Sequence, residues 1–283
     1  MSQIINPIKG SLNVITGCAS GLGKATMLWF LKKGCGPVLA IDRRFDTDFE
    51  QSLDLSEEQR RKLTLRCHDT FDEAVEPSLK EFVTKHGPID NLINVAGVAL
   101  AYTFLVVSSD PRKVKSYDLR HARDLVQFDT VGTFNMIRLA SRYMTDDKHG
   151  EQSSGRSKCI VNTSCISTSK PSIGQTAYAG AMSSIDSMTL CVAREFSPLN
   201  IRCNTINVGY FDTKLLRSSD SVVCDYIQSE IVLCPRRLGH PDEFAHLAQA
   251  IVENQMLNGA CIKLDGCTEP AQERPHGGKY RDI

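Results

Sequence analysis

The chain is predicted to fold as a single α/β domain, a doubly wound parallel sheet of about seven strands flanked by helices. Three observations lead there. Short β-branched or apolar runs alternate with helical stretches along most of the length. The first such run passes into a glycine-rich turn, Thr16-Gly17-Cys18-Ala19-Ser20-Gly21-Leu22-Gly23, which opens a helix. With 283 residues, 41% hydrophobic and 23% charged, the chain is long enough to bury one large core.

Leu12–Thr16 reads as the first strand, Ala25–Lys33 as the helix after it and Val38–Asp42 as the second strand. Leu63–Arg66 and Asn91–Asn94 are the third and fourth strands. Asp118–Met144 carries one long helical pattern, and Cys159–Ser164 is the fifth strand. Thr176–Phe196 is the next helix, followed by strands at Arg202–Asn207 and Cys261–Asp265, with a helix at Pro241–Glu253 between them. Two segments read as surface additions: Phe45–Arg61, strongly charged, and Thr145–Ser157, polar and glycine-containing. The domain is expected to span residues 1–269. The polar tail Pro270–Ile283 is expected to be mobile.

Composition excludes several classes. The 33 basic and 33 acidic residues balance, so nothing electrostatic points to nucleic acid or an anionic membrane. Eleven cysteines, an odd number without a C-x-x-C pair, indicate reduced thiols rather than a disulfide framework or a zinc site. The longest apolar run, Val98–Val107, is far short of the ~20 residues of a membrane helix. A first strand about ten residues in leaves no place for a full cleavable targeting segment, so a mitochondrial or cytoplasmic location is expected.

The glycine turn has a physical reading of its own. Glycines at 17, 21 and 23 allow a tight turn and close backbone approach to a pyrophosphate, and the unpaired N–H groups of the helix start stabilise it. Asp42, about 20 residues on, is placed to bind ribose hydroxyls, which favours NAD; Arg43 and Arg44 beside it could instead accept a 2′-phosphate. Farther along stand Leu92-Ile93-Asn94-Val95-Ala96-Gly97, Asn207-Val208-Gly209-Tyr210-Phe211-Asp212-Thr213, and Tyr178 with Met182 four residues later.

Taken together these motifs resemble the short-chain dehydrogenase/reductase family, over Leu12 to about Gly266. The resemblance implies a Rossmann-like domain and a bound NAD. Thr16, Gly17, Ser20, Gly21, Leu22, Gly23, Asp42, Asn94, Ala96, Gly97, Tyr178, Gly209, Phe211 and Thr213 fall on its cofactor positions. The family's adenine contact falls on His68 or on Asp69, one residue on. Its catalytic group comprises a tyrosine, a lysine four residues later, a serine thirteen residues earlier and an asparagine. Here Tyr178 retains the tyrosine, while Met182, Cys165 and Asp129 stand for the other three.

Those changes matter by magnitude. An unassisted phenol has a pKa of about 10, so roughly one molecule in a thousand is phenolate at neutral pH. A lysine cation within ~4–6 Å lowers such a pKa by about 1–3 units, and methionine does not. An ionised Asp129 pushes the wrong way, and a thiol is a weak donor. Lost acid–base help costs ~10²–10⁴ in rate. The missing ammonium also removes a charged hydrogen bond to the ribose, about 1.5–3 kcal/mol. A weak or inactive enzyme is expected.

Four runs are similar to the type-2 3-hydroxyacyl-CoA dehydrogenase branch: Gly132–Ser141, Gly174–Tyr178, Ser187–Arg202 and Arg236–Gly266. That resemblance implies hydride transfer between NAD and a 3-hydroxyacyl-CoA or hydroxysteroid alcohol, and a homotetramer. It also implies an alternative, a non-catalytic scaffold with protein partners, for example in mitochondrial tRNA processing. Val98–Val107 would then lie beside an acyl chain or steroid, or serve as a buried connection.

Overall fold

The computed structural model describes residues 7–107, 114–145, 156–218 and 221–269. Its strands are β1 Asn13–Thr16, β2 Val38–Asp42, β3 Leu63–Cys67, β4 Asn91–Asn94, β5 Leu105–Val107, β6 Val114–Ser116, β7 Lys158–Cys165, β8 Ile201–Val208 and β9 Cys261–Leu264. The helices are α1 Gly21–Lys32, α2 Glu57–Arg61, α3 Val75–His86, α4 Leu119–Leu125, α5 Gly132–Ser141, α6 Thr176–Phe196, α7 Lys214–Arg217, α8 Ser221–Tyr226 and α9 Pro241–Glu253. Seven strands form one parallel sheet in the order β3-β2-β1-β4-β7-β8-β9. This is the expected fold.

Strand alternation divides the core between the two faces. Ile15, Ala40, Ile93 and Val161 join Met27, Phe30 and Leu31 of α1 and Phe244, Ala248 and Ile251 of α9 on one side. Their strand neighbours Val14, Leu39, Leu92 and Ile160 join Leu79 and Phe82 of α3 and Met136 and Leu139 of α5 on the other. Successive residues pointing to opposite faces, both apolar, are what a sheet covered by helices on both sides requires.

Several expectations change in detail. The long helix foreseen over Asp118–Met144 is interrupted: a π-helical turn at Val126–Val131 separates α4 from α5, and α5 ends at Ser141. The helix foreseen from Ala25 begins at Gly21, so the glycine turn feeds straight into its first turn. Phe45–Arg61 is more than a surface addition, because Phe49 and Leu53 are buried against the α1 side of the core while their charged neighbours face out. The helix α3 and the hairpin β5–β6 were not foreseen. Of Thr145–Ser157, residues 146–155 lie outside the described residues, as does the tail 270–283.

Two buried cations, Lys158 and Arg202, hold the sheet to its surroundings. Lys158 Nζ meets Asp90 Oδ1 at 2.9 Å, and Asp90 Oδ2 accepts the Leu12 N–H. Arg202 on β8 donates to the carbonyls of Ile251, Val252, Asn254 and Leu257, closing the C-terminal end of α9. The C-terminal ends of β1, β2, β4, β7 and β8 thereby line up along one edge, where open α/β sheets bind ligands.

Candidate active site

The glycine turn sits between β1 and β4. Gly17 has φ +73°, and a Cβ there would come within 2.8 Å of the Ala96 backbone nitrogen. Thr16 Oγ1 accepts the N–H groups of Val95 and Ala96 at 3.0 and 3.1 Å, which holds the Asn94–Gly97 segment against the turn. Ser20 is the N-cap of α1 but makes no side-chain cap bond, so α1 keeps first-turn N–H groups for an anion. Leu22 packs beneath, on the core. Gly23 lies so near the Gly17 carbonyl that a Cβ would stand 2.1 Å from its oxygen. These residues form a cradle that fits a dinucleotide pyrophosphate.

Asp42 ends β2 and accepts the Ala19 N–H at 2.9 Å, which holds its carboxylate beside the turn. His68 is tied to Asp42 through its backbone and to Ser78 Oγ through Nε2 at 2.8 Å. Asp69 lies 2.9 Å from Arg43 Nε, and that guanidinium also stacks over Phe128. Asn94 donates to Asn162 inside the sheet. Gly209 follows β8 and hydrogen-bonds to Leu264. Thr213 caps α7 beside Gly21. Phe211 places its ring in the core against Gly239, which leaves only its backbone toward the cradle.

The reacting end forms where α6 meets β7. Tyr178 lies in the first turn of α6, partly buried, with the Cys165 thiol within hydrogen-bonding reach of its phenol. Burial pushes that phenol well above its ordinary range, and Cys165, Asp129 and Tyr210 push it further the same way. None of these neighbours lowers it. Met182, one turn along, is a buried apolar side chain. Ser164 is buried too, and its hydroxyl donates to the Met182 carbonyl at 3.2 Å, so it is turned away from Tyr178.

Asp129 enters from the π-helical turn. Thr130 ties this turn to α6, through Ser184 Oγ at 2.7 Å and the Ala181 carbonyl at 3.3 Å. Asp129 Oδ1 accepts the Val98 N–H at 2.7 Å and would meet a Cβ on Gly97 at 2.8 Å. Burial raises its pKa to about 7, offset in part by that Val98 bond. Tyr178, Cys165 and Asp129 therefore share one electrostatic neighbourhood, and Met182, one helical turn from Tyr178, adds no charge to it.

Two residues at the site were missed by sequence reasoning. Tyr210 is half-buried, near Cys165 and within hydrogen-bonding reach of Ser172. Ser172 lines an open cleft of about 490 Å³ with Thr103, Phe104, Ile173, Thr176 and Ala179, which leads to the first turn of α6. Tyr210 was visible directly after Gly209 as a second hydroxyl; Ser172 carried no signal. From the Val98–Val107 run, Tyr102, Phe104 and Leu105 are exposed at 46%, 66% and 58%, so this run is an open rim rather than a buried connection.

Comparison with known proteins agrees with this geometry. Residues 12–222 match the short chain dehydrogenase family. The chain is 34% identical over 275 residues to the 3-hydroxyacyl-CoA dehydrogenase type-2 of Homo sapiens, covering 94% of this chain and 98% of that protein. It is 29% identical over 263 residues to the ipsdienol dehydrogenase of Ips pini, covering 93% and 98%. The crystal structure of 3-hydroxyacyl-CoA dehydrogenase type-2 from Mycobacterium avium aligns with a TM-score of 0.76 and 26% identity, covering 93% and 98%. The chain belongs to the short-chain dehydrogenase/reductase family of oxidoreductases and is similar to its type-2 3-hydroxyacyl-CoA dehydrogenases.

Proposed function

We propose that this protein binds NAD and transfers hydride between it and a 3-hydroxyacyl-CoA or similar secondary alcohol only slowly. The observation that carries the proposal is the setting of Tyr178: a phenol raised by burial and by every ionisable neighbour, with Met182 in place of a cation. A bound nicotinamide supplies the hydride acceptor. The chain's own residues hold the dinucleotide at the Gly17–Gly23 turn and Asp42. They present the substrate oxygen to Tyr178 and Cys165 and admit the acyl group through the cleft beside Ser172 and Phe104. Asp42 at the end of β2, a carboxylate beside the glycine turn, supports NAD over NADP. Resemblance to the type-2 branch extends the proposal to a homotetramer and a mitochondrial or cytoplasmic location.

The test is NADH production from a short 3-hydroxyacyl-CoA by the natural protein and by a variant carrying Met182→Lys, Cys165→Ser and Asp129→Asn. The natural protein is expected near background and the variant at least ~10²-fold faster. Equal rates defeat the reading.

A second reading, a non-catalytic scaffold, is favoured by one contrast. The cofactor cradle is built throughout while the position that should be cationic is buried and apolar. Calorimetric NAD binding without any turnover dependent on Tyr178 would select it.

A further inference from the structure

Residues 231–234 and 266–269 run antiparallel, with the Cys234 N–H donating to the Gly266 carbonyl and the Glu269 N–H to the Ile231 carbonyl, each at 3.0 Å. The first bond sets Cys234 beside Cys267. A single peptide unit separates the accepting oxygen from the Cys267 Cα. The two Cα atoms therefore stand on the order of 6 Å apart, a span that a disulfide bridges. Both cysteines are exposed. Cys18, Cys35, Cys159 and Cys203 are buried instead, and burial pushes each of those thiols up, where it is inert.

Cys267 is set apart further by its backbone and its neighbours. Its φ is +57°, and among the described residues only Asn200 shares a positive φ without being glycine. A side chain with a Cβ is disfavoured there, and such positions cluster at functional sites. Asp265 holds the turn, accepting the Cys267 N–H on Oδ1 at 3.0 Å and the Thr268 N–H on its carbonyl at 3.1 Å. Lys170 Nζ donates to the Thr268 carbonyl at 3.1 Å and pairs with Glu269, so an ammonium stands at the Cys267 loop and offsets its two carboxylates. The interaction of Cys267 with that ammonium is felt at Lys170. A neighbouring cation favours the thiolate, which is the reactive form.

We infer that Cys234 and Cys267 are a reversible redox pair, a modification site for hydrogen peroxide that closes as a disulfide. The Cys267 sulfur attacks one peroxide oxygen; an S–O bond forms, the O–O bond breaks, and the second oxygen leaves as water with the thiol proton. The Cys234 sulfur then attacks the sulfenic sulfur. An S–S bond forms, the S–O bond breaks, and hydroxide leaves as water with the Cys234 proton. Two thiols are oxidised and one peroxide is reduced to two waters, and a dithiol reductant reverses the bond. The pair lies at a seam that matters for the site. Ile227, Ile231, Val232 and Leu238 form a small separate core against which Tyr210 packs, and Gly266 lies so close that a Cβ there would stand 2.9 Å from Val232. The disulfide pins this core to the loop after β9. It needs no hydride transfer and stands independently of the slow-enzyme reading.

The experiment treats the reduced full-length protein with equimolar hydrogen peroxide at neutral pH, blocks free thiols and digests it without reductant. Peptide fragmentation by mass spectrometry then assigns the joined sulfurs. The dominant linkage is expected between Cys234 and Cys267, and dithiothreitol should abolish it. Cys234→Ser and Cys267→Ser should each lose the linkage while keeping the natural denaturation midpoint when reduced. In Cys234→Ser a dimedone-reactive sulfenic acid should accumulate at Cys267. Lys170→Met should form the bond at least ~3-fold more slowly. Amide exchange over residues 227–234 should slow in the oxidised natural protein and in neither serine variant. Peroxide that leaves both cysteines unlinked, or links either one mainly to another cysteine, overturns the pair. A Cys234→Ser protein without sulfenic acid at Cys267, or an undiminished rate in Lys170→Met, overturns Cys267 as the attacking thiol. Unchanged exchange in the oxidised protein overturns the pinning.

Discussion

Asp129 shows how one substitution can change character between sequence and structure. As a letter it is an anion set beside a phenol that needs a cation. In the fold it is a buried carboxyl with one oxygen held and one open, and burial keeps it partly neutral. The linkage has a definite sign. Its folded pKa, about 7, exceeds the ordinary carboxylate value, so the folded state holds the proton more tightly than the unfolded chain. Stability therefore falls as pH rises from about 4 to about 7 and is level above that. Asp129→Asn is expected to be neutral near pH 4 and stabilising by on the order of 2–4 kcal/mol at pH 8. Urea denaturation at pH 5 and pH 8 measures this, and a stabilisation that does not grow with pH would contradict the assignment. Met182 is the opposite case. Its identity alone shows that no charge is present there, and the structure adds only that the position is closed to solvent.

At the level of single elements, the strands were legible because buried parallel strands are short apolar runs, and β2 and β4 have the bounds expected of them. The π-helical turn was not. Its residues, Val126–Val131, continue an ordinary helical pattern, and the extra residue per turn follows from packing against α6 rather than from local preference. The helix α3 was legible although none was expected there: its buried Val75, Leu79 and Phe82 stand at i, i+4 and i+7 among charged residues, which is the amphipathic helical period. Arg202 is a third case. It reads as a polar residue at the start of a strand, yet it is 5% exposed and satisfies four carbonyls at the end of α9. Arg202→Met is expected to leave those acceptors unpaired and to cost about 2–4 kcal/mol. Thermal unfolding of the variant would show this as a lower midpoint, and an unchanged midpoint would mean that water replaces the guanidinium without loss.

For the molecule as a whole, the sheet edge carries the glycine turn and Asp42, which are near in sequence, together with Tyr178 from more than a hundred residues farther along the chain. A ligand that bridges them should bind the folded state alone and raise its unfolding temperature. Saturating NAD is expected to raise the midpoint more than NADP does, and Asp42→Ala should remove the difference by deleting the carboxylate that repels a 2′-phosphate. A larger shift with NADP in the natural protein would reverse the cofactor assignment. The linear chain was enough to establish the alternating architecture and to mark the glycine turn and the methionine at 182, because each is a local pattern or a single residue type. Three features required the folded molecule: the open oxygen of Asp129, the closeness of Tyr210 to Cys165, and the engagement of Ser164 with the Met182 carbonyl. Burial and hydrogen-bond partnership arise between segments distant along the chain, so no local reading of residues contains them.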